Sequence, residues 1–145
     1  SISTDIIVGF PGETDAEFNE TYEFLKDIKF YKMHIFKYSP RKGTKAAVMP
    51  NQIDGNVKEE RSKKLIELSD EFENMYNKEY IGKEVEVLFE ENYQENDEQY
   101  IKGHTTNYIV VKVKNNDDMI KENSIQSVRI IGTDKTELIG EKVWR

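Results

Sequence analysis

The apolar residues of this chain change their spacing at Gly82, and that change constrains the fold more than any other feature. Before it, Leu65, Leu68, Phe72, Met75 and Tyr76 step by three and four, which gathers them on one face of a helix. After it, Val85, Val87 and Phe89 alternate with Glu84, Glu86 and Glu90, the pattern of a half-buried strand. No single layer of structure serves both patterns. The chain therefore reads as an α+β molecule in three stretches: residues 1–55, a connecting helix over 56–81, and a small β domain over 82–145.

Within the first stretch, Thr4–Val8 reads as a short buried strand ending in the turn Gly9-Phe10-Pro11-Gly12. Thr14 with Glu17 three residues later forms a capping box, and Phe18, Tyr22, Leu25 and Ile28 follow at helical spacing. Tyr31–Phe36 is aromatic and β-branched enough for a second strand. This strand–helix–strand unit is the parallel crossover. Two strands leave two open edges and apolar faces that call for neighbours, so residues 1–55 are expected to belong to a larger α/β domain. Taken alone, their apolar faces have three outcomes: disorder, packing on the helix at 57–80, or burial in a non-native, swapped dimer. Asn56 with Glu59 offers a second capping box, and Gly82 a helix stop.

Beyond Gly82, an acidic loop is expected over Glu90–Glu98. Strand-like runs follow at Tyr100–Lys102, Asn107–Lys114, Ile125–Ile131 and Glu137–Val143. With the first, that makes five short strands, and a five-stranded OB-like closed sheet removes their edges economically. Trp144 is expected to close that barrel.

Charge and cysteine content narrow the chemistry. The net charge is −7 with no cysteine and two histidines. Disulfides and thiolate-held metal are excluded within the chain, and His34 and His104 are too far apart in sequence to suggest a self-contained zinc site. No apolar run approaches the length of a membrane span, so a soluble, cytoplasmic protein is expected. From Ile28 to Ile53 there is no acid but six bases, which suggests a local anion contact.

Three stretches could carry function. Asp5–Glu13 ends a strand in a glycine turn before a helix, where the backbone can approach a ligand closely; an ordinary βα turn is the plain alternative. Phe36–Thr44 leaves the same sheet edge with Arg41, Lys42, two hydroxyl side chains and an aromatic ring, a mixture suited to phosphate and base contacts, or to a solvated basic loop. Gly103–Tyr108 is expected as a glycine turn between strands, with His, Asn and Tyr on an RNA-binding face or in a plain hairpin. Nothing resembles a catalytic triad, a P-loop or a carboxylate dyad.

Taken in order, Asp5-Ile6-Ile7-Val8-Gly9-Phe10-Pro11-Gly12-Glu13-Thr14, then Tyr38-Ser39-Pro40-Arg41-Lys42-Gly43-Thr44, then the Arg61–Ser69 helix, the motifs resemble the C-terminal part of radical-SAM methylthiotransferases, and the last stretch resembles their RNA-binding TRAM domain. Met33-His34-Ile35-Phe36 and Ala46-Ala47-x-Met49 are most similar to the branch acting on threonylcarbamoyladenosine at position 37 of tRNA. The isopentenyladenosine branch and a branch that modifies a ribosomal protein stay open, as does a stand-alone RNA- or protein-binding module. Lys45 departs from the proline usual after Gly-Thr in the family. The resemblance implies that residues 1–55 are the C-terminal portion of a radical-SAM barrel. It implies an enzyme using S-adenosylmethionine and two [4Fe–4S] clusters to install a methylthio group, with every cluster ligand outside this chain, no catalytic residue here and no activity alone. It further implies that Ile7, Gly9 and Phe36 lie against S-adenosylmethionine, that Tyr38, Ser39, Arg41 and Lys42 face substrate, and that His104, Thr105, Asn107 and Tyr108 face the anticodon region of tRNA.

Overall fold

Why the two spacings separate is visible in the computed structural model, which describes residues 2–144. The chain divides into two units, Ser1–Glu73 and Asn74–Arg145.

In the first unit, β1 (Ser3–Val8) and β2 (Lys32–Lys37) pair in parallel, with Ile7 opposite Phe36 and Asp5 opposite His34. Helix α1 (Asp15–Ile28) makes the crossover. The capping box read from Thr14 and Glu17 is present: the Thr14 hydroxyl accepts from the Glu17 amide at 3.2 Å and the Glu17 carboxylate from the Thr14 amide at 2.8 Å. Those bonds hold the Glu17 carboxyl below its ordinary pKa, the backbone amide of Thr14 contributing most. The helix ends at Lys29, whose φ of 55° carries the chain into the left-handed region.

Helix α2 (Gly55–Lys78) supplies the opposite wall. Leu65, Leu68 and Phe72 are buried with Val8, Phe18, Leu25 and Met33. Ser69 anchors the layer, its hydroxyl accepting from the Met33 amide at 3.1 Å. Of the three outcomes expected for the apolar faces, packing on this helix covers one. The other face of the sheet carries Ile7 and Phe36, each more than half exposed. Met75, placed on the apolar stripe by spacing, is itself half exposed.

The start of α2 corrects one expectation. Asn56 lies inside the helix, and Asp54 caps it, its carboxylate accepting from the Asn56 amide at 2.8 Å. Both residues suit a cap; Asp54 wins because the helix already begins at Gly55. The helix itself ends at Lys78, and single-turn bonds such as Tyr80 N–H to Asn77 C=O lead to Gly82, where φ is +86°.

In the second unit, five strands close into a barrel in the order β3-β4-β5-β7-β6. They are β3 (Glu84–Glu95), β4 (Glu98–Thr105), β5 (Val110–Lys114), β6 (Ser124–Asp134) and β7 (Glu137–Lys142). All pairings are antiparallel except β5 with β7. Val87, Phe89, Ile101, Val111, Val128, Ile130 and Leu138 fill the inside with no accessible surface. Asn115 is buried beside them and ties the β5–β6 connection, its side chain accepting from the Ile120 amide and donating to the Ile120 carbonyl, both at 2.8 Å.

Three expectations for this unit are overturned. The acidic segment Glu90–Glu98 is not a loop: β3 runs on to Glu95 and turns through Asn96 and Asp97, both with positive φ, into β4. Cross-strand cations make this tolerable, since Glu91 faces Lys102 at 3.1 Å, Glu98 pairs with Lys114, and Tyr93 stacks on Tyr100. Gly103 is not a turn residue but sits in β4, where an added Cβ would lie 1.9 Å from the Leu88 carbonyl oxygen. It lies opposite Phe89, where the β3 register shifts, so the glycine answers a close backbone approach. Trp144 does not close the barrel; it is 70% exposed. Among the described residues no helix is long and apolar enough to cross a membrane.

Candidate functional site

The C-terminal ends of β1 and β2 carry the first candidate site. The chain leaves β1 through Gly9 and Gly12, with φ of +74° and +87°, values that favour glycine. Glu13 folds the turn back on itself: its carboxylate accepts from the Gly9 amide at 2.9 Å and from Arg61 Nη1 at 2.7 Å. Arg61 Nη2 also donates to Asp15 at 2.7 Å. The Arg61 side chain is 6% exposed. Burial opposes its charge, but hydrogen bonds to Asp15 and Glu13 outweigh that and hold its pKa above the ordinary value. Lys58 covers the turn from α2, its stem filling the space that a Cβ on Gly9 would need and its ammonium donating to the Tyr38 carbonyl at 3.1 Å.

Beside this turn is a cavity of about 400 Å³ whose wall includes Ile7, Phe36, Tyr38, Ser39 and Arg41. Ile7 and Phe36 give it an apolar floor because they are register partners on the open face of the sheet. Tyr38 continues the β2 edge, its amide donating to the Val8 carbonyl at 2.8 Å and its ring meeting Phe10 edge-on at 5.3 Å. The Tyr38 hydroxyl is buried with no hydrogen-bond partner in the structure. Thr44 shapes the loop by donating from its hydroxyl to the Arg41 carbonyl at 2.8 Å. Arg41 makes no ion pair among the described residues, whereas Lys37 is engaged by Glu59 at 2.5 Å. Five of the residues singled out from sequence thus meet here. Gly9 and Lys42 are not on this wall.

A second candidate lies on the barrel, where His104, Thr105 and Tyr108 line a cavity of about 300 Å³ with Leu88 and Ile125. His104 Nδ1 is 2.6 Å from a Glu90 carboxylate oxygen. Tyr108 sits in the turn after β4 with φ of 63° and is 83% exposed. Asn107 is not on this wall: its side-chain amide donates to the Tyr80 hydroxyl at 3.0 Å and its oxygen accepts from Thr105 at 2.7 Å. It sets the shape of the turn that displays Tyr108.

Sequence reasoning missed Lys58, Arg61 and the bridging role of Glu13. The buried side of α2 was legible from its leucines, and Arg61 falls four residues before Leu65 on that face, which is the signal that could have found it. Among the described residues no group of three or more His, Cys, Asp or Glu could hold a metal ion.

No family model matches the chain. Curated relatives do. A threonylcarbamoyladenosine tRNA methylthiotransferase of Bacillus subtilis is 46% identical over 121 residues, 83% of this chain and 27% of the relative. A tRNA-2-methylthio-N(6)-dimethylallyladenosine synthase of Caldicellulosiruptor saccharolyticus is 38% identical over 143 residues, 99% of this chain and 30% of the relative. The chain belongs to the tRNA methylthiotransferase family. A third member, the dimethylallyladenosine synthase of Tropheryma whipplei, is 48% identical over 88 residues, 61% of this chain and 19% of its own length. The chain thus spans about a third or less of the curated methylthiotransferases it matches.

Proposed function

We propose that this chain acts as the C-terminal portion of a tRNA methylthiotransferase of the radical-SAM type. In this reading residues 1–55 are the end of the α/β barrel, residues 56–81 the connecting helix, and residues 82–145 a TRAM-like barrel that grips the anticodon region of tRNA in the cytoplasm. The observation that carries it is the convergence of Ile7, Phe36, Tyr38, Ser39 and Arg41 on one cavity at the ends of two parallel strands, the position where such sheets hold ligands. The match to methylthiotransferases over 99% of the chain supports the same reading.

The cavity fits part of S-adenosylmethionine on its own chemistry. About 400 Å³ lies within the range of small-molecule sites, an apolar floor suits a flat base, and the unpartnered Tyr38 hydroxyl needs a polar group. Ile7 and Phe36 would pack against the adenine. Gly9, expected against S-adenosylmethionine but lying off this wall under Lys58, would act through the turn that Glu13 steadies. Tyr38, Ser39 and Arg41 would orient the substrate nucleotide, with Arg41 and Lys42 meeting phosphate. On the barrel, His104, Thr105 and Tyr108 would contact RNA, and Asn107 would hold the turn. The cofactors, when bound, supply a carbon-centred radical and the sulfur of the methylthio group. The two [4Fe–4S] clusters would be held by residues outside this chain, which has no cysteine, so the chain alone would not turn over.

Two substrates are favoured by particular relatives: threonylcarbamoyladenosine by the Bacillus subtilis protein, and dimethylallyladenosine by the relative matching 99% of the chain. Expressing the intact gene in a host lacking both modifications, followed by mass spectrometry of tRNA nucleosides, separates them. Appearance of the methylthio form of threonylcarbamoyladenosine supports the first and that of dimethylallyladenosine the second. A tRNA pool with neither would refute the proposal.

A further inference from the structure

The barrel unit carries another cavity, which shares no wall residue with the one beside Tyr108. It has a volume of about 750 Å³, and its wall includes Tyr100, Lys114, Arg129, Lys142 and Trp144. Trp144 is the single tryptophan of the chain and is 70% exposed. Lys142 holds it in place: its ammonium sits 4.7 Å from the ring centroid and also donates to the Met119 carbonyl at 3.0 Å. That pins one side of the ring near a cation and leaves the other side available.

This groove is less acidic than its surroundings. Residues 82–145 carry thirteen acids and nine bases. The groove wall carries Lys114, Arg129 and Lys142 against Glu98 and Glu141, and with Glu84, which pairs with Arg129, the patch is neutral within a unit of net −4. Lys114 is paired with Glu98, and that bond leads the causes holding the lysine pKa above its ordinary value, so it stays charged. Arg129 is held by Glu84 at 3.3 Å. An exposed aromatic flanked by fixed cations is the arrangement that binds single-stranded nucleic acid, the ring stacking a base and the cations meeting phosphate.

We propose that the Trp144 groove is a second RNA subsite, in which one unpaired base stacks on the Trp144 indole while Lys142 and Arg129 contact the adjoining phosphates. This rests on the reading of the barrel as an RNA-binding domain and adds a surface to it.

The single tryptophan makes the test specific to the site. The full chain is titrated with unmodified tRNA and with oligoadenylate, reading Trp144 fluorescence and, in parallel, the anisotropy of end-labelled RNA. Stacking predicts quenching of Trp144 that saturates with the anisotropy. Trp144→Ala should weaken oligoadenylate binding roughly 5- to 150-fold, the effect of losing about 1–3 kcal/mol of base stacking, and Trp144→Phe should restore most of it. Lys142→Gln should reduce the salt slope by about 0.7. RNA binding by anisotropy without quenching, and undiminished in Trp144→Ala, would overturn the subsite and leave the RNA reading standing. No binding in either signal would overturn both. Equal quenching by heparin, a polyanion without bases, would overturn stacking.

Discussion

Replacing Arg61 with alanine should loosen the Gly9–Glu13 turn and cost the chain about 3 kcal/mol. Arg61 joins two carboxylates of very different exposure. Asp15 is 91% exposed at its side chain, so its 2.7 Å bond is screened by water and contributes about 0–1 kcal/mol. Glu13 is 17% exposed and shares its carboxylate between Arg61 and the Gly9 amide. Removing a buried partner typically costs about 3–5 kcal/mol because a charge is left uncompensated, and Glu13 retains some water, which places the loss at the lower end. The Arg61 guanidinium also lies over the Phe18 ring at 5.4 Å, so some packing goes with the charge. Urea unfolding followed by far-ultraviolet circular dichroism measures the loss, and hydrogen exchange at the Gly9 amide locates it. Asp15→Asn should cost less than about 1 kcal/mol, and Glu13→Gln more than that. A loss below about 1 kcal/mol in Arg61→Ala, or an Asp15→Asn effect as large as that of Glu13→Gln, would refute this division of the energy.

Three further outcomes follow from the same structure. Burial raises the Glu73 carboxyl above its ordinary value against the pull of Lys32, so the folded state holds that proton more tightly than the unfolded chain; the stability this gives at low pH is lost as pH rises from the unfolded value through the raised one, and Glu73→Gln should gain on wild type over that interval in urea midpoints at acid and neutral pH. The hydrogen bond from Lys112 lowers the Asp134 carboxyl, so its stabilisation is present above the unfolded pKa and is lost as pH falls through the folded one; an Asp134→Asn deficit in thermal melts at neutral pH should vanish in strong acid. Gly103→Ala puts a methyl against the backbone of Leu88 and Phe89, where no side chain can give way, and should cost about 3 kcal/mol, the upper end for overpacking, read as a lower midpoint in urea unfolding followed by circular dichroism.

Much of the first unit was legible because its signals are local. The Thr14 capping box spans four residues, and the β1 and β2 segments differed from expectation only at their ends. Asp54 and Asn56 both fit the same signal, and only the actual first turn of α2 chose between them. The acidic ribbon failed as a loop because its strand character depends on Lys102, Lys112 and Lys114, which reach Glu91, Glu95 and Glu98 from β4 and β5. Those partners lie eleven to seventeen residues apart, and only the strand pairing brings them face to face.

By itself, the sequence determined that this chain has an α/β part, a helix and a five-stranded β part, since periodicity and caps are set by neighbours a few residues apart. It also carried the ordered motifs that join the chain to the tRNA methylthiotransferases. Tertiary structure alone decided that Ile7, Phe36, Tyr38, Ser39 and Arg41 share one cavity, that Arg61 clamps the glycine turn, and that Trp144 stands open beside Lys142. Those arrangements come from strand register, helix docking and barrel closure, which bring together residues whose separation along the chain says nothing about their distance in space.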